Sequence, residues 1–403
     1  MSMGQLRVLS VSAAVILVLF ALPAGATVIA GGPYGPGGTL NGYRYNTTSL
    51  TWDSARVAAA NSYFAGVQGH LVTMGSSAEN SFVQTNFGGG DRWIGFTDST
   101  ATSTIDGFNL ATLGTAEFGS TGGAPYPPAG NRGLGWQWVT GEPLTFVQNW
   151  GGGEPNDVGG EDAAHLRGDG LWNDHRAGAT LGQTDHFLPS IIEYELGAQS
   201  LLYALNYHEA RSNVGGSITN LAAAEALLAL ADGDPGLNAR RRGYATIINL
   251  LGTGGEGHYA NNDAFLLGGE DFAVEATGWI FIPSAGNWTF GTNTDDGSRL
   301  VIGPFTKADD VLSGPHDHLA VFNFSSAGWY PLRLVFFERG GGDEVELFAA
   351  QGSFGSWDST NFRLVGDTAN GGLMVTNVFP EPATLSLLAL GGLSILARRR
   401  RQR

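Results

Sequence analysis

Between Trp150 and Asp174 the chain concentrates oxygen donors in a way that few folds can use. The stretch reads W-G-G-G-E-P-N-D-V-G-G-E-D-A-A-H-L and, after a short gap, L-W-N-D. It sets Glu154, Asn156, Asp157, Glu161, Asp162, Asn173 and Asp174 among glycines and Pro155. Carboxylate and amide oxygens are the ligands of a hard cation, and Ca2+ takes about six to eight of them. The glycines and the proline predict a loop. The W-N-D triplet puts an aromatic beside two donors, so a strand can be anchored in a core and still offer ligands at its edge. A calcium site is the reading these residues support.

The same segment resembles the primary calcium and sugar site of C-type lectin domains, in which E-P-N, an acidic residue and W-N-D follow in this order. Further marks lie around it in the family's order: L-V-T-M at 71–74 followed by S-S-A-E-N, W-I-G-F at 93–96, W-Q-W-V-T-G-E-P-L-T at 136–145, N-W at 149–150 and I-I-E-Y at 191–194. The resemblance covers roughly residues 40–196. It implies that Glu154, Asn156, Glu161, Asn173 and Asp174 hold calcium. It implies also that Glu154, Asn156, Glu161 and Asn173 bond sugar hydroxyls that coordinate the same ion. E-P-N resembles the mannose-type choice. Asp157 and Asp162 fit an auxiliary metal position. Trp150 and Trp172 read as core, and His175 as a solvated loop residue within reach of a ligand.

The chain holds no cysteine, whereas animal C-type lectin domains carry disulfides. Where such a domain places cysteines, this chain has Ala163 and Ile192. The fold must therefore rest on packing, helped by any ion that binds only the folded state. At 403 residues, two domains are expected. Sixty-two glycines, about twice the usual share of roughly 7%, suit loop-rich β domains. A formal charge of −16 speaks against nucleic acid and for cations.

Residues 1–26 read as a signal peptide, with a short basic start, an apolar run and Ala24-Gly25-Ala26 as the cleavage site. Thr51 caps a predicted helix from Trp52 to about Phe64, with Trp52, Ala55, Ala59 and Tyr63 on its apolar face. Ser76 and Glu79 form a capping-box pattern ahead of a second helix, with Phe82 and Val83 inward. Arg92–Phe96 is a strand, and residues 99–134 form an insertion read as a solvated loop.

Beyond 197–200, Leu201–Asn206 is strand-like and Asn220 precedes an alanine-rich helix. Strands are then predicted at Phe272–Val274, Gly278–Ile282, Trp288–Gly291, Arg299–Ile302, Leu319–Phe324, Leu332–Phe337 and Val345–Phe348. G-W-I-F-I-P-S-A-G-N-W-T-F-G-T-N-T-D-D-G-S-R-L-V-I-G at 278–303 and A-G-W-Y-P-L-R-L at 327–334 are similar to the protective-antigen-type β-sandwich of flocculins, adhesins and glycosidase-associated modules. That resemblance makes Asp295 and Asp296 metal ligands. Adjacent carboxylates repel unless something compensates them, and the alternative is a structural D-D-G turn. His316-Asp317-His318 reads as a polar loop.

V-F-P-E-P at 378–382, an apolar run from Ala383 to Ala397 and the arginine-rich end resemble the PEP-CTERM sorting signal of Gram-negative bacteria. The implied processing residues are Pro380, Glu381 and Pro382, handled by an exosortase-type peptidase after transient inner-membrane anchoring through residues 383–397. The apolar run is about 22 Å long as a helix, short for a membrane core of about 30 Å.

The expected organisation is a signal peptide at 1–26, an α+β C-type-lectin-like domain at 27–196, an all-β sandwich at 197–377 and a sorting tail with a short membrane segment at 378–403. The expected function is calcium-dependent binding of an extracellular glycan or exopolysaccharide, at the cell surface or in the matrix, in adhesion. No catalytic motif such as H-E-x-x-H or G-x-S-x-G is present, so no enzyme is expected. Two alternatives stay open. One is a structural or protein-binding surface protein whose calcium only stabilises loops; the other, a polysaccharide hydrolase, depends on carboxylate spacing that sequence does not give.

Overall fold

The computed structural model describes residues 27–35, 39–99, 136–142, 149–178, 184–196, 203–254 and 257–378. Residues 1–26, expected to be a signal peptide, nearly all of the insertion at 99–134, and the sorting tail with Pro380, Glu381 and Pro382 lie outside the described residues.

β1 (Thr27–Gly35) and β2 (Thr39–Leu50) form an antiparallel hairpin with Ile29 opposite Tyr43. Helix α1 (Trp52–Ala60) follows, capped by the Thr51 hydroxyl, which accepts from the Ser54 amide at 3.3 Å. The predicted helix ran on to about Phe64, but it ends at Ala60. Asn61 donates its backbone amide to the Val57 carbonyl, and Ala65 and Gly66 then take positive φ values of 49° and 82°. That turn closes the hairpin of β3 (Tyr63–Phe64) and β4 (Val67–Gln68). Tyr63 is consequently exposed, while Trp52, Ala55 and Ala59 are buried as expected.

After β5 (His70–Leu71), α2 (Ser77–Phe87) is capped by Ser76, whose hydroxyl accepts from the Glu79 amide at 3.1 Å. The Glu79 carboxylate reaches past its own cap to the Gly75 amide and the Tyr43 hydroxyl. β6 (Arg92–Thr97), β7 (Gln137–Trp138), β8 (Ala163–Leu166), β9 (Trp172–His175) and β10 (Leu188–Leu196) complete this half. β10 returns to pair with β2, so the segment's start and end lie side by side and its long loops are held between them. Trp136, Trp138, Trp150 and Trp172 pack around Phe96 with ring centroids 4.4–5.9 Å apart. Ala163 and Ile192 are buried in one apolar cluster with Trp93 and Tyr194, where the resemblance would have cysteines.

The second half opens with β11 (Leu205–Ser212), α3 (Leu221–Ala229), β12 (Leu237–Ala245) and β13 (Asn249–Leu251). Asn220 caps α3 as expected, accepting from the Ala223 amide at 2.9 Å. Then come β14 (Phe272–Ile282), β15 (Gly286–Asp295), β16 (Gly297–Ile302), β17 (Phe305–Asp309), β18 (His316–Phe324) and β19 (Gly328–Glu338). β20 (Glu344–Gln351), β21 (Arg363–Leu364) and β22 (Val375–Thr376) end the described chain. The two strands predicted at 272–274 and 278–282 are one. Glu275 between them is accommodated because Arg333 on the neighbouring β19 donates to it at 2.6 Å. His316-Asp317-His318 is the start of β18 and not a loop.

A five-stranded sheet, β13-β20-β15-β18 with β21, packs on β17-β16-β19-β14-β11-β12. Ile280, Phe290, Leu334 and Leu347 are among the side chains of the core they enclose. α3 covers the outer face through Ala224 and Leu228 against Ala273, Val335 and Phe337. The larger sheet does not stop at β12. β1 pairs with β12 on one edge and with β2 on the other, so strands of both expected domains belong to a single sheet. The approach at the junction is close: a Cβ on Gly243 would sit 1.7 Å from the Val28 carbonyl oxygen.

Gly243→Ala is therefore expected to push β1 away from β12, at a cost of about 1–3 kcal/mol. Scanning calorimetry should show a lower midpoint and a first half that melts separately from the second. A single unshifted transition would mean that this pairing does not hold the halves together.

Candidate functional site

The loop at 151–161 is built on Asp174. Trp172 is fully buried and donates its indole N–H to Asn80 Oδ1 at 2.9 Å, which fixes β9 in the core. Residues two apart on a strand share a face, so Asp174 lies on the face of Trp172 and is itself buried. Its carboxylate accepts from the Asn156 amide at 2.9 Å and the Asp157 amide at 2.7 Å. Asn156 in turn donates its side-chain amide to Glu154 and accepts from the Val158 amide at 2.9 Å. Glu161 Oε2 accepts from that same amide at 3.2 Å. The expected ligands Glu154, Asn156, Glu161 and Asp174 are thus brought to one loop. Asn173 is next to Asp174 on β9 and donates its side-chain amide to the Asp174 carbonyl.

Electrostatically this loop is unfinished. Burial and the neighbouring Asp174 raise the Glu154 carboxyl to about 6 and that of Glu161 to about 7. Burial also raises Asp174, although the loop amides oppose it. Carboxyl groups pressed together in this way favour a cation between them. Of the proposed auxiliary ligands, Asp157 has its carboxylate on the loop itself. Asp157 has φ 50° and caps the Glu161 amide at 2.8 Å, while Asp162 is buried with its carbonyl on the Asp98 amide and the Thr97 hydroxyl. His175 is no solvated loop residue. It stacks on His186 with ring centroids 3.5 Å apart, both edge-on to Trp93, and burial lowers its pKa to about 4.

A second oxygen cluster sits where β15 passes into β16 through a cis peptide bond between Asp295 and Asp296. One carboxylate oxygen from each of Asp295, Asp296 and Glu338 lies within 4.8 Å of the others, and all three residues are buried. Asp296 accepts from the Ser313 amide at 2.8 Å and the Arg339 amide at 3.0 Å. Glu338 accepts from the Gly340 amide through Oε1, but its buried Oε2 has no hydrogen-bond partner among the described residues. Burial, Asp296 and Asp295 push Glu338 up to about 9, and burial with Asp296 and Asp343 raises Asp295 to about 6. Asp343 is tied to the Thr253 amide at 2.6 Å, an approach that leaves no room for a side chain at Gly252. An all-oxygen donor set with an orphaned buried carboxylate oxygen fits calcium. Glu338 was not singled out from sequence. It joins the aspartates only because β19 pairs with β16 in the register Phe337 to Gly297.

Glu154, Glu161, Asp295 and Glu338 each have a folded pKa raised above the ordinary value, so in ion-free protein each favours the folded state while protonated. That contribution is complete below about 4.5 and is lost as pH rises through about 6 for Glu154 and Asp295, about 7 for Glu161 and about 9 for Glu338. Chelator-treated protein should therefore melt at a lower temperature at pH 8 than at pH 5, and calcium should reverse the loss. Glu338→Gln should raise the ion-free midpoint at pH 8 by roughly 2–4 °C, the shift that about 1 kcal/mol gives in a domain of about 150–250 residues. A midpoint that does not respond to pH or calcium would mean that these carboxyls are not compressed.

Comparison with known proteins agrees with part of this picture. Residues 380–401 match the PEP-CTERM protein-sorting motif. The chain is 30% identical over 135 residues to CD209 antigen-like protein A of Mus musculus, covering 33% of this chain and 41% of that protein. It is 30% identical over 139 residues to C-type lectin domain family 10 member A of Homo sapiens, covering 33% of this chain and 32% of that one. The chain thus spans well under half the length of both relatives. Among solved structures, the PA14 domain of the MpAFP antifreeze protein aligns over 44% of this chain and 93% of its own, at 14% identity and a TM-score of 0.32. No helix among the described residues is long and apolar enough to cross a membrane. This chain therefore has C-type lectin homologues over a third of its length and a PEP-CTERM sorting motif near its C-terminal end.

Proposed function

We propose that the chain is an exported, calcium-dependent glycan-binding protein with two binding modules, residues 27–196 and 197–377. The observation that carries this reading is the assembly of Glu154, Asn156 and Glu161 on one loop against Asp174 of β9, where burial and the neighbouring Asp174 raise the Glu154 and Glu161 carboxyls. The C-type lectin homology supports it independently. Calcium, when bound, would supply the missing positive charge and coordinate neighbouring sugar hydroxyls. This chain's own part is to hold the loop on Asp174 and to offer Glu154, Asn156, Glu161 and Asn173 as hydrogen-bond partners to those hydroxyls. Asp295, Asp296 and Glu338 would hold a second ion in the sandwich.

Two modules on one sheet would bind a repeating polysaccharide with more avidity than either alone, which suits adhesion or association with exopolysaccharide at the cell surface. A signal peptide at 1–26 would start export. The sorting motif supports processing near Pro380-Glu381-Pro382 by an exosortase-type peptidase after transient inner-membrane anchoring through 383–397. No catalytic role is proposed. A second reading has one observation in its favour: Asn156, Asp157 and Glu161 already bond the loop's own amides. On that reading calcium only stiffens the loop, and the ligand is a protein or the role structural.

A glycan array with the purified chain, run in calcium and again with chelator, separates these readings. Binding to mannose-, glucose- or fucose-type glycans that disappears with chelator is expected. Asn156→Ala should weaken it at least about tenfold, or about 1.4 kcal/mol, if the loop is the binding site. Asp296→Asn should do the same if the sandwich is. Calcium binding without any glycan signal would support the stiffening role, and glycan binding that survives chelation would refute both assigned sites.

A further inference from the structure

A third group of ligand atoms lies apart from both carboxylate sites and has a different chemistry. Asp309 ends β17, which is the outermost strand of the large sheet, and His316 begins β18, the outermost strand of the five-stranded sheet. The loop 310–315 carries the chain from one sheet to the other. His316 and His318 are two apart on β18 and so share a face. Asp317 points away from them, to His258 Nε2 at 2.7 Å and to the side-chain amide of Asn293 at 2.9 Å.

Both imidazoles converge on one oxygen. His316 Nε2 is 3.2 Å and His318 Nε2 2.7 Å from Asp309 Oδ2, and the three ligand atoms lie within 4.8 Å of one another. The other nitrogen of His316 faces the Gly314 carbonyl at 2.8 Å. A carbonyl oxygen can only accept, so Nδ1 carries the proton, and in the neutral ring Nε2 presents a lone pair toward a carboxylate oxygen that presents another. A backbone carbonyl holding the far nitrogen in this way is how metal-binding histidines are oriented. His318 Nε2 and Asp309 Oδ2 are buried, and among the described residues no hydrogen bond satisfies either. Two imidazole nitrogens gathered on one carboxylate oxygen in this way describe a metal position.

We propose that Asp309, His316 and His318 form a transition-metal site of the zinc class, which pins the open edges of the two sheets to each other. Two imidazole nitrogens and one carboxylate suit zinc, with a further position left to water, and two nitrogen donors are wrong for calcium. The His316 side chain is 35% exposed, so an ion can enter from that side without unfolding. It also borders the aspartate pair, since the intervening loop donates the Ser313 amide to Asp296. Zinc would thus steady the loop that supports one of those carboxylates.

The test is calorimetric titration of the full chain with Zn2+, in excess calcium so that oxygen sites are filled, after chelator treatment and dialysis. The wild-type chain should bind Zn2+ and gain melting temperature. His316→Gln and His318→Gln should each lose one equivalent or bind it at least tenfold more weakly, while Asp296→Asn should keep it. Substituting Co2+ should give visible d–d absorption in wild type that both histidine variants lose. If His318→Gln fails to fold, His316→Gln at the more exposed ring carries the comparison. Wild type that takes up no Zn2+, or histidine variants that bind as many ions as wild type because the metal sits elsewhere, would overturn the proposal. Neither result depends on whether the chain binds glycans.

Discussion

The continuity of the molecule passes through one strand. β1 gives one edge to β2 and the other to β12, and every long loop that carries an oxygen cluster hangs from the sheets on either side of that pairing. Backbone hydrogen bonds make this joint, and at Gly243 the chains approach too closely for any side chain. The ion pair of Arg44 with Asp263 and the packing of Leu266 against the tryptophan-rich core reinforce it across the same boundary. With no cysteine in the chain, no disulfide shares this work. Ala163 and Ile192 show what replaces one: two apolar side chains in a common cluster, which gain burial but place no constraint on the unfolded chain.

The chain buries many carboxylates, and their partners sort them into two kinds. Glu209 is fully buried and accepts from the amides of Leu266, Leu267 and Gly268 at 2.8–2.9 Å and from the Tyr207 hydroxyl. Glu193 is similarly held by the Thr73 amide, the Thr73 hydroxyl and the side chain of Asn41. These groups organise loops and are closed to anything else. Glu338 is different. One of its buried oxygens has no donor, and two further carboxylates stand beside it. Leaving a buried acceptor unsatisfied costs about 1–3 kcal/mol, more when it is charged. Burial alone therefore does not separate the two kinds; a buried oxygen left without a donor does.

What the sequence disclosed follows the range of the interactions involved. The oxygen donors of 154–174, the caps at Thr51, Ser76 and Asn220 and most sandwich strands depend on neighbours close in the chain, and they were legible. β12 was not, because Arg240, Arg241 and Arg242 do not look like a strand. Arg240 instead serves helix α3, donating to the Leu227, Leu228 and Leu230 carbonyls at its C-terminal end, and with Arg242 it pairs with Asp232. β1 is rich in glycine and lacks alternation, so nothing local announces that it joins the two halves of one sheet. Glu338 and Asp309 reach their partners through strand pairing and a sheet-to-sheet crossing. No spacing rule could have attached Glu338 to Asp296, or shown that His316 and His318 share a face opposite a carboxylate.

The two oxygen clusters differ in how they are held, and this difference decides how each would respond to an ion. In the first, Asn156 and Asp157 reach Asp174 through their own backbone amides, and glycines at 159 and 160 with positive φ let the loop turn back on itself. Its repulsion can be relieved by opening the loop, so an ion bound there would couple its binding to loop order. In the second, the carboxylates come from the ends of packed strands whose core encloses Phe272, Leu300 and Phe336. Those strand ends cannot spread without breaking the sandwich. Repulsion there is held in place by the fold, so the sandwich cluster is the more rigid arrangement and the loop the more adaptable one. On the proposed function, such a pairing would suit varied polymers: a rigid site would set the affinity, and a loop that orders on binding would tolerate differences in what it meets.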